Sequence, residues 1–178
     1  MSVASQQQVE TAAGDEGSDL RNGVRPLFDM GGLDLSRRTY DRDAIAKLNP
    51  HRGEMALLDA IIWNTADFKQ GLALKQIKPT EFWVPGHFPE KPMFPGVLMI
   101  EAGAQLACFL YNVRQTIPKL VAFLRIENAS FRNMVSPGDD LYLLCSEVKF
   151  GRRRFVSDIQ GIVGDRIAFD ARISGMSM

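Results

Sequence analysis

The sequence predicts an α+β domain in which a curved antiparallel sheet wraps around one long apolar central helix. Two observations carry this reading. Apolar runs of strand length at residues 120–127, 141–150, 154–163 and 166–174 follow one another, with Pro137-Gly138, Gly151 and Gly164 as separators. The stretch 97–113 is too long for a strand; Pro95-Gly96 precedes it and Pro118 follows it. That helix is apolar on nearly every face. In a small domain only a curled sheet covers it, and any exposed remainder would drive dimerisation.

The elements follow in chain order. Residues 1 to about 25 are polar, rich in Gln, Ala, Gly, Asp and Ser, and predict a disordered tail. Residues 26–38 carry Leu27, Phe28, Met30, Leu33 and Leu35, which could pack on the domain, while Gly31-Gly32 argues against a regular element. Residues 1–40 therefore read as a partly disordered N-terminal extension, and 41–178 as the domain. Asp41 or Asp43 caps a short helix with Ile45 and Leu48 on its inner face, ended by Pro50. Residues 55–67 and 71–79 read as two strands, turning at 68–71. The loop 80–96 holds Pro85, Pro89, Pro92 and Pro95 with Gly86 and Gly96. The helix runs from 97 to about 114, and Gly164-Asp165 suits a hairpin turn between the last two strands. No internal repeat is visible.

Composition excludes several classes. The 178 residues hold 21 basic and 21 acidic side chains, so nothing pulls the chain toward nucleic acid. Residues 1–20 contain no apolar run of the kind a signal peptide needs. Glu101, Gln105 and Asn112 interrupt the apolar stretch, which argues for a helix buried in protein and against a membrane span. Cys108 and Cys145 are far apart and form no CxxC pair, which fits a reducing cytoplasm. With only His51 and His87 and no zinc-type spacing, no metal is expected. No GxGxxG, GxxxxGK[ST] or GxSxG motif is present.

Chemistry concentrates in one segment. His87 lies in a proline-stiffened loop that can hold its ring in one place, and an imidazole titrating near neutrality suits proton abstraction. Gly96 and Val97 open the helix, where free amides at the positive dipole end can hold a polarised carbonyl oxygen. Glu101 projects from the first turns of an otherwise apolar helix, where burial would favour a protonated acid ready to donate. Each feature has a plainer reading: a loop histidine as surface filler, Pro-Gly as punctuation, Glu101 as a dipole partner. Gln105, one turn on, reads mainly as a satisfier of buried polar groups. Their convergence on one segment is what favours a site.

The block from Gly86-His87-Phe88-Pro89 through Pro95-Gly96-Val97 to Glu101-Ala102 resembles the signature of the Z-type 3-hydroxyacyl-acyl-carrier-protein dehydratases of fatty-acid synthesis. Asn49-Pro50-His51-Arg52 with Ala56-Leu57-Leu58-Asp59, and Phe131-Arg132 through Val135-Ser136-Pro137-Gly138-Asp139, resemble two further blocks of that family. The resemblance spans 41 to about 174. It implies a hot-dog fold and a homodimer, with trimers of dimers among relatives, and no cofactor. His87 of one subunit would take the α-proton of a 3-hydroxyacyl thioester. Glu101 of the partner would serve the leaving hydroxyl, and the Gly96 amide, with Val97, the thioester oxygen. Phe88 and Gln105 would line the substrate site. Glutamate at 101, where the isomerising type has aspartate, points to plain dehydration.

The acyl carrier protein implied as partner is acidic. Lys149, Arg152, Arg153 and Arg154 could meet it, as could Lys91; the plain alternative for the first four is a solvated strand end. Glu90 stands where the family usually has glycine, and Lys91 where arginine is common, which puts substrate identity in question more than reaction. His51 reads as structural, bracing the first strand by a hydrogen bond. Two other readings stay open: a hot-dog thioesterase, and a non-catalytic subunit that only binds carrier or acyl chain.

Overall fold

The computed structural model describes residues 24–178; the tail expected over the first 25 residues lies almost wholly outside the described part. β1 (Tyr40–Asp41) leads into α1 (Arg42–Leu48). Asp41 is the cap, accepting from the Ala44 amide at 2.8 Å, and Ile45 is buried on the inner face as expected. A short 3₁₀ turn (Gly53–Met55) precedes β2 (Ala60–Asn64) and β3 (Gln70–Gln76). The long helix α2 spans Gly96–Asn112. β4 (Val121–Phe131), β5 (Asp140–Phe150), β6 (Arg154–Val163) and β7 (Arg166–Ser177) complete the domain.

All seven strands form one antiparallel sheet in the order β1-β2-β3-β5-β6-β7-β4, and α2 packs on β3, β5, β6 and β7. This is the expected α+β hot-dog arrangement. Alternation builds it: Leu141, Leu143 and Cys145 of β5 face the core around α2, whereas Leu144 and Tyr142 face the opposite side. A Cβ on Gly103 would come within 2.8 Å of Ile159, so only glycine lets the helix lie this close to β6.

The outer face of the sheet is also apolar, with Ile62, Leu72, Leu74, Leu144, Ile162 and Ile167 buried there. The segment before β1 covers it. Val24, Leu27, Phe28, Met30, Leu33 and Leu35 pack on these residues without forming a helix or long strand. Buried Gln160 pins the strap, accepting from the Leu27 amide at 3.0 Å and donating to the Arg25 carbonyl at 3.1 Å.

Several boundaries differ from the sequence reading; β2 ends at Asn64 against an expected 67, and β7 runs on to Ser177 past an expected 174. The strand expected at 55–67 begins only at Ala60, because the Leu57 amide donates to the Gln105 side chain and not to a neighbouring strand. The strand expected at 71–79 ends at Gln76, because the Ile77 amide turns to the Asp139 carbonyl. β4 runs on to Phe131, four residues beyond the expected 127, held by its ladder with β7 despite two register shifts.

The loop between β3 and α2 is anchored by a nearly buried ion pair. Lys75 Nζ lies 2.5 Å from Glu81 Oε1, and Trp83 Nε1 donates to Glu81 Oε2 at 2.9 Å. Burial pushes the Glu81 carboxyl up, but hydrogen bonds from Lys75, the Lys78 amide and Trp83 outweigh it, and the net displacement is below the usual glutamate value. Glu81 therefore contributes stability above its unfolded-state pKa, and this is lost as pH falls through the lower folded value. Lys75→Met is expected to cost about 3 kcal/mol by leaving the carboxylate without its cation. Urea unfolding measures that loss at neutral pH, and it should shrink as the medium is acidified below about pH 4, where Glu81 is protonated in the unfolded chain.

Candidate active site

The loop anchored by Trp83 delivers His87. The Trp83 carbonyl accepts the His87 amide at 2.9 Å, and the His87 carbonyl accepts the Met93 amide at 2.8 Å. The ring is tied as well, with Nδ1 2.7 Å from the Met93 carbonyl oxygen. A carbonyl oxygen can only accept, so Nδ1 carries the hydrogen, and in the neutral ring Nε2 keeps its lone pair. That is the tautomer a general base needs. Phe88 stacks on the imidazole, centroids 4.2 Å apart. Lys91 and Glu90 are exposed on the same loop.

The next turn opens α2. The Leu98 and Met99 amides both donate to the Pro95 carbonyl, at 2.9 and 3.1 Å, so the Gly96 and Val97 amides precede the first helical bonds. A Cβ on Gly96 would meet the Phe131 ring at 2.7 Å. Glycine thus lets β4 close over the helix start.

Glu101 lies on the side of α2 that borders a half-open cleft of about 330 Å³. Cys108, Phe155, Ile173 and Phe123 contribute apolar walls, and His51 and Gln105 stand beside the carboxyl. Gln105 is almost fully buried and makes three side-chain bonds: Nε2 donates to Glu101 Oε1 at 2.9 Å and to the Met55 carbonyl at 2.8 Å, and Oε1 accepts the Leu57 amide at 3.0 Å. It is the expected polar satisfier, and it also grips Glu101. Burial, and then the nearby Glu101 charge, push the Cys108 thiol up to about 12, so this wall of the cleft stays uncharged.

The carboxyl is not enclosed by apolar atoms alone. Its side chain is 22% exposed, and His51 Nε2 lies 3.3 Å from Oε1. Within one chain the imidazole beside Glu101 is therefore His51, and His87 does not line the cleft. The strand-bracing bond expected of His51 is absent, since its Nδ1 is buried without a partner.

The basic side chains sit at a different place, the turn between β5 and β6. Arg152, Arg153, Arg154 and Lys149 are exposed there, while the backbone is held by Tyr111 Oη donating to the Arg152 carbonyl at 2.9 Å. Among the described residues no helix is long and apolar enough to cross a membrane.

Residues 49–172 match the model of the FabA-like domain. The chain is 37% identical over 122 residues to the 3-hydroxyacyl-[acyl-carrier-protein] dehydratase FabZ of Halalkalibacterium halodurans, covering 66% of this chain and 86% of that protein. It is 36% identical over 146 residues to the FabZ of Koribacter versatilis, covering 78% and 90%. Among solved structures, the dehydratase heterocomplex ApeI:P from Xenorhabdus doucetiae superposes with a TM-score of 0.66 at 14% identity, covering 75% of this chain and 90% of that one. Cj0977, a sigma28-regulated virulence protein from Campylobacter jejuni, gives 0.57 at 14% identity, covering 82% and 96%. These structures speak to the fold; the sequence matches, spanning the loop of His87 and the helix of Glu101, establish that this chain belongs to the FabA-like domain family and is similar to its FabZ dehydratases.

Proposed function

We propose that this protein dehydrates (3R)-3-hydroxyacyl-acyl-carrier-protein to the trans-2-enoyl thioester, in fatty-acid or related lipid synthesis. One observation carries the reading: the Met93 carbonyl holds His87 as the tautomer with a free Nε2 lone pair, in a chain whose other acid–base group, Glu101, borders an apolar cleft.

His87 Nε2 takes the α-proton from C2 of the substrate. The Gly96 amide, with Val97, donates to the thioester oxygen as negative charge builds on it. The electron pair left at C2 forms the C2=C3 double bond, the C3–O bond breaks, and Glu101 gives its proton to the departing hydroxyl, which leaves as water. Solvent then returns a proton to Glu101 and removes one from His87.

The two groups meet across a homodimer. Among the described residues the sheet ends in β4, which exposes Phe123, Leu124, Ile126 and Phe131, each more than 40% accessible. An edge this apolar is a pairing surface. β4 borders both the Glu101 cleft, through Val121 and Phe123, and the helix start, through Phe131 over Gly96. A two-fold seam along β4 lets His87 of one subunit reach the Glu101 cleft of the other. Lys149, Arg152 and Arg153, with Lys91 on the His87 loop, attract the acidic carrier. The free, buried Cys108 and Cys145 suit a reducing cytoplasm.

Incubation with 3-hydroxyacyl-carrier thioesters of several chain lengths tests the reaction. Enoyl absorbance should rise without release of free thiol. Thiol release without enoyl formation would make it a thioesterase, and binding with neither product a non-catalytic subunit.

A further inference from the structure

The dehydratase reading leaves His51 without work, yet its position is specific. It follows α1 in chain order, on the loop from Asn49 to Arg52, and reaches the cleft from outside the helix that carries Glu101. Its Nε2 lies 3.3 Å from Glu101 Oε1, while its Nδ1 is buried with no partner. A brace for the first strand would use Nδ1 or Nε2 on a backbone group, and neither does so.

The tautomer follows from that asymmetry. In the neutral ring, a hydrogen on Nδ1 would be a buried donor without an acceptor, and the Nε2 lone pair would face a carboxyl oxygen. A hydrogen on Nε2 removes the orphaned donor and the lone-pair repulsion, and leaves only an Nδ1 lone pair without a donor. His51 then presents a donor to Oε1, the same oxygen that already accepts from Gln105 Nε2 at 2.9 Å. An oxygen facing two donors is a poor place for the acid proton, which is left to Oε2. The 3.3 Å separation is longer than a well-made N–H···O bond, and such contacts tighten in the substrate complex.

We propose that His51 is a positioning residue for Glu101: with Gln105 it occupies Oε1, which fixes the carboxyl rotamer and keeps the transferable proton on Oε2, toward the substrate. As the hydroxyl departs and Glu101 becomes a carboxylate, the same donor supports the new charge. The inference rests on Glu101 being the acid of the proposed reaction.

Four variants test it on 3-hydroxyacyl-carrier thioester with enoyl absorbance as readout. His51→Leu should lower kcat by about 10- to 100-fold with little change in KM. His51→Gln, whose amide nitrogen can reach the place of Nε2, should recover most of that loss, whereas the shorter His51→Asn should not; this pair decides the matter even where the leucine variant folds poorly. Adding His51→Leu to Glu101→Gln should slow the enzyme no further, because the carboxyl through which His51 acts is gone. Independent losses that multiply in the double variant, or equal rates for the Gln and Asn variants, would overturn the positioning role. Wild-type turnover in His51→Leu beside a crippled Glu101→Gln would remove His51 alone. Full turnover in Glu101→Gln would take the reading of Glu101 down with it.

Discussion

Replacing His87 with alanine is expected to lower kcat by about 10²- to 10⁴-fold, the usual worth of a positioned general base. The fold should survive, because the loop is held by backbone bonds from Trp83 and Met93 and by the Lys75–Glu81–Trp83 anchor, none of which uses the imidazole. The ring contributes one hydrogen bond to Met93, worth about 1 kcal/mol of stability. Stopped-flow turnover and a thermal melt on the same preparation separate the two effects. A variant that keeps near-normal turnover would mean that His87 is not the base.

The second large effect is expected on assembly. Ile126 is 51% exposed in the middle of β4, on an edge that no other strand of the described residues covers. Ile126→Asp places a charge on that seam in both copies. At about 2 kcal/mol per copy, association weakens by about 10³-fold, because a two-fold interface meets the change twice. Light scattering should report a monomer, circular dichroism a native-like spectrum, and the assay a loss of turnover that follows the dimer fraction as concentration is lowered. A monomer that turns over at the wild-type rate would show that each site is complete within one chain.

Much of this architecture was legible from the residues. The long apolar helix, the Pro-rich loop before it and the last two strands around Gly164 lie where their patterns put them. The misplaced boundaries share a cause. Residues 55–59 are as apolar as a strand, but Leu57 is buried by packing while its amide is satisfied by Gln105, so apolarity occurs there without a ladder. β4 shows the opposite: Arg125, Glu127 and Asn128 break the apolar pattern, and pairing with β7 sustains the strand regardless.

The site divides in the same way. The chemistry proposed for His87, Gly96 and Glu101 is suggested by residue type and spacing, but the partners that surround them cannot be read that way. Met93, which sets the His87 tautomer, acts through a backbone carbonyl that any residue would supply. In the sequence His51 reads as a brace, because nothing local ties it to a residue 50 positions later; the fold brings α1 against α2 and so places it beside Glu101. The strap over the outer sheet face was half legible: Leu27, Phe28, Met30, Leu33 and Leu35 predict packing on the domain and Gly31-Gly32 an irregular path, as found, but without a helical or strand period nothing in them names the face they cover.

One mixing experiment bears most directly on the shared site. His87→Ala and Glu101→Gln are each expected to be nearly inactive as homodimers. Unfolded together and refolded at equal concentration, they give half heterodimers, each with one site built from two intact groups and one lacking both. Turnover should then return to about a quarter of the wild-type value. Recovery absent in a sample where mass spectrometry finds the heterodimer would contradict a base and an acid drawn from different subunits.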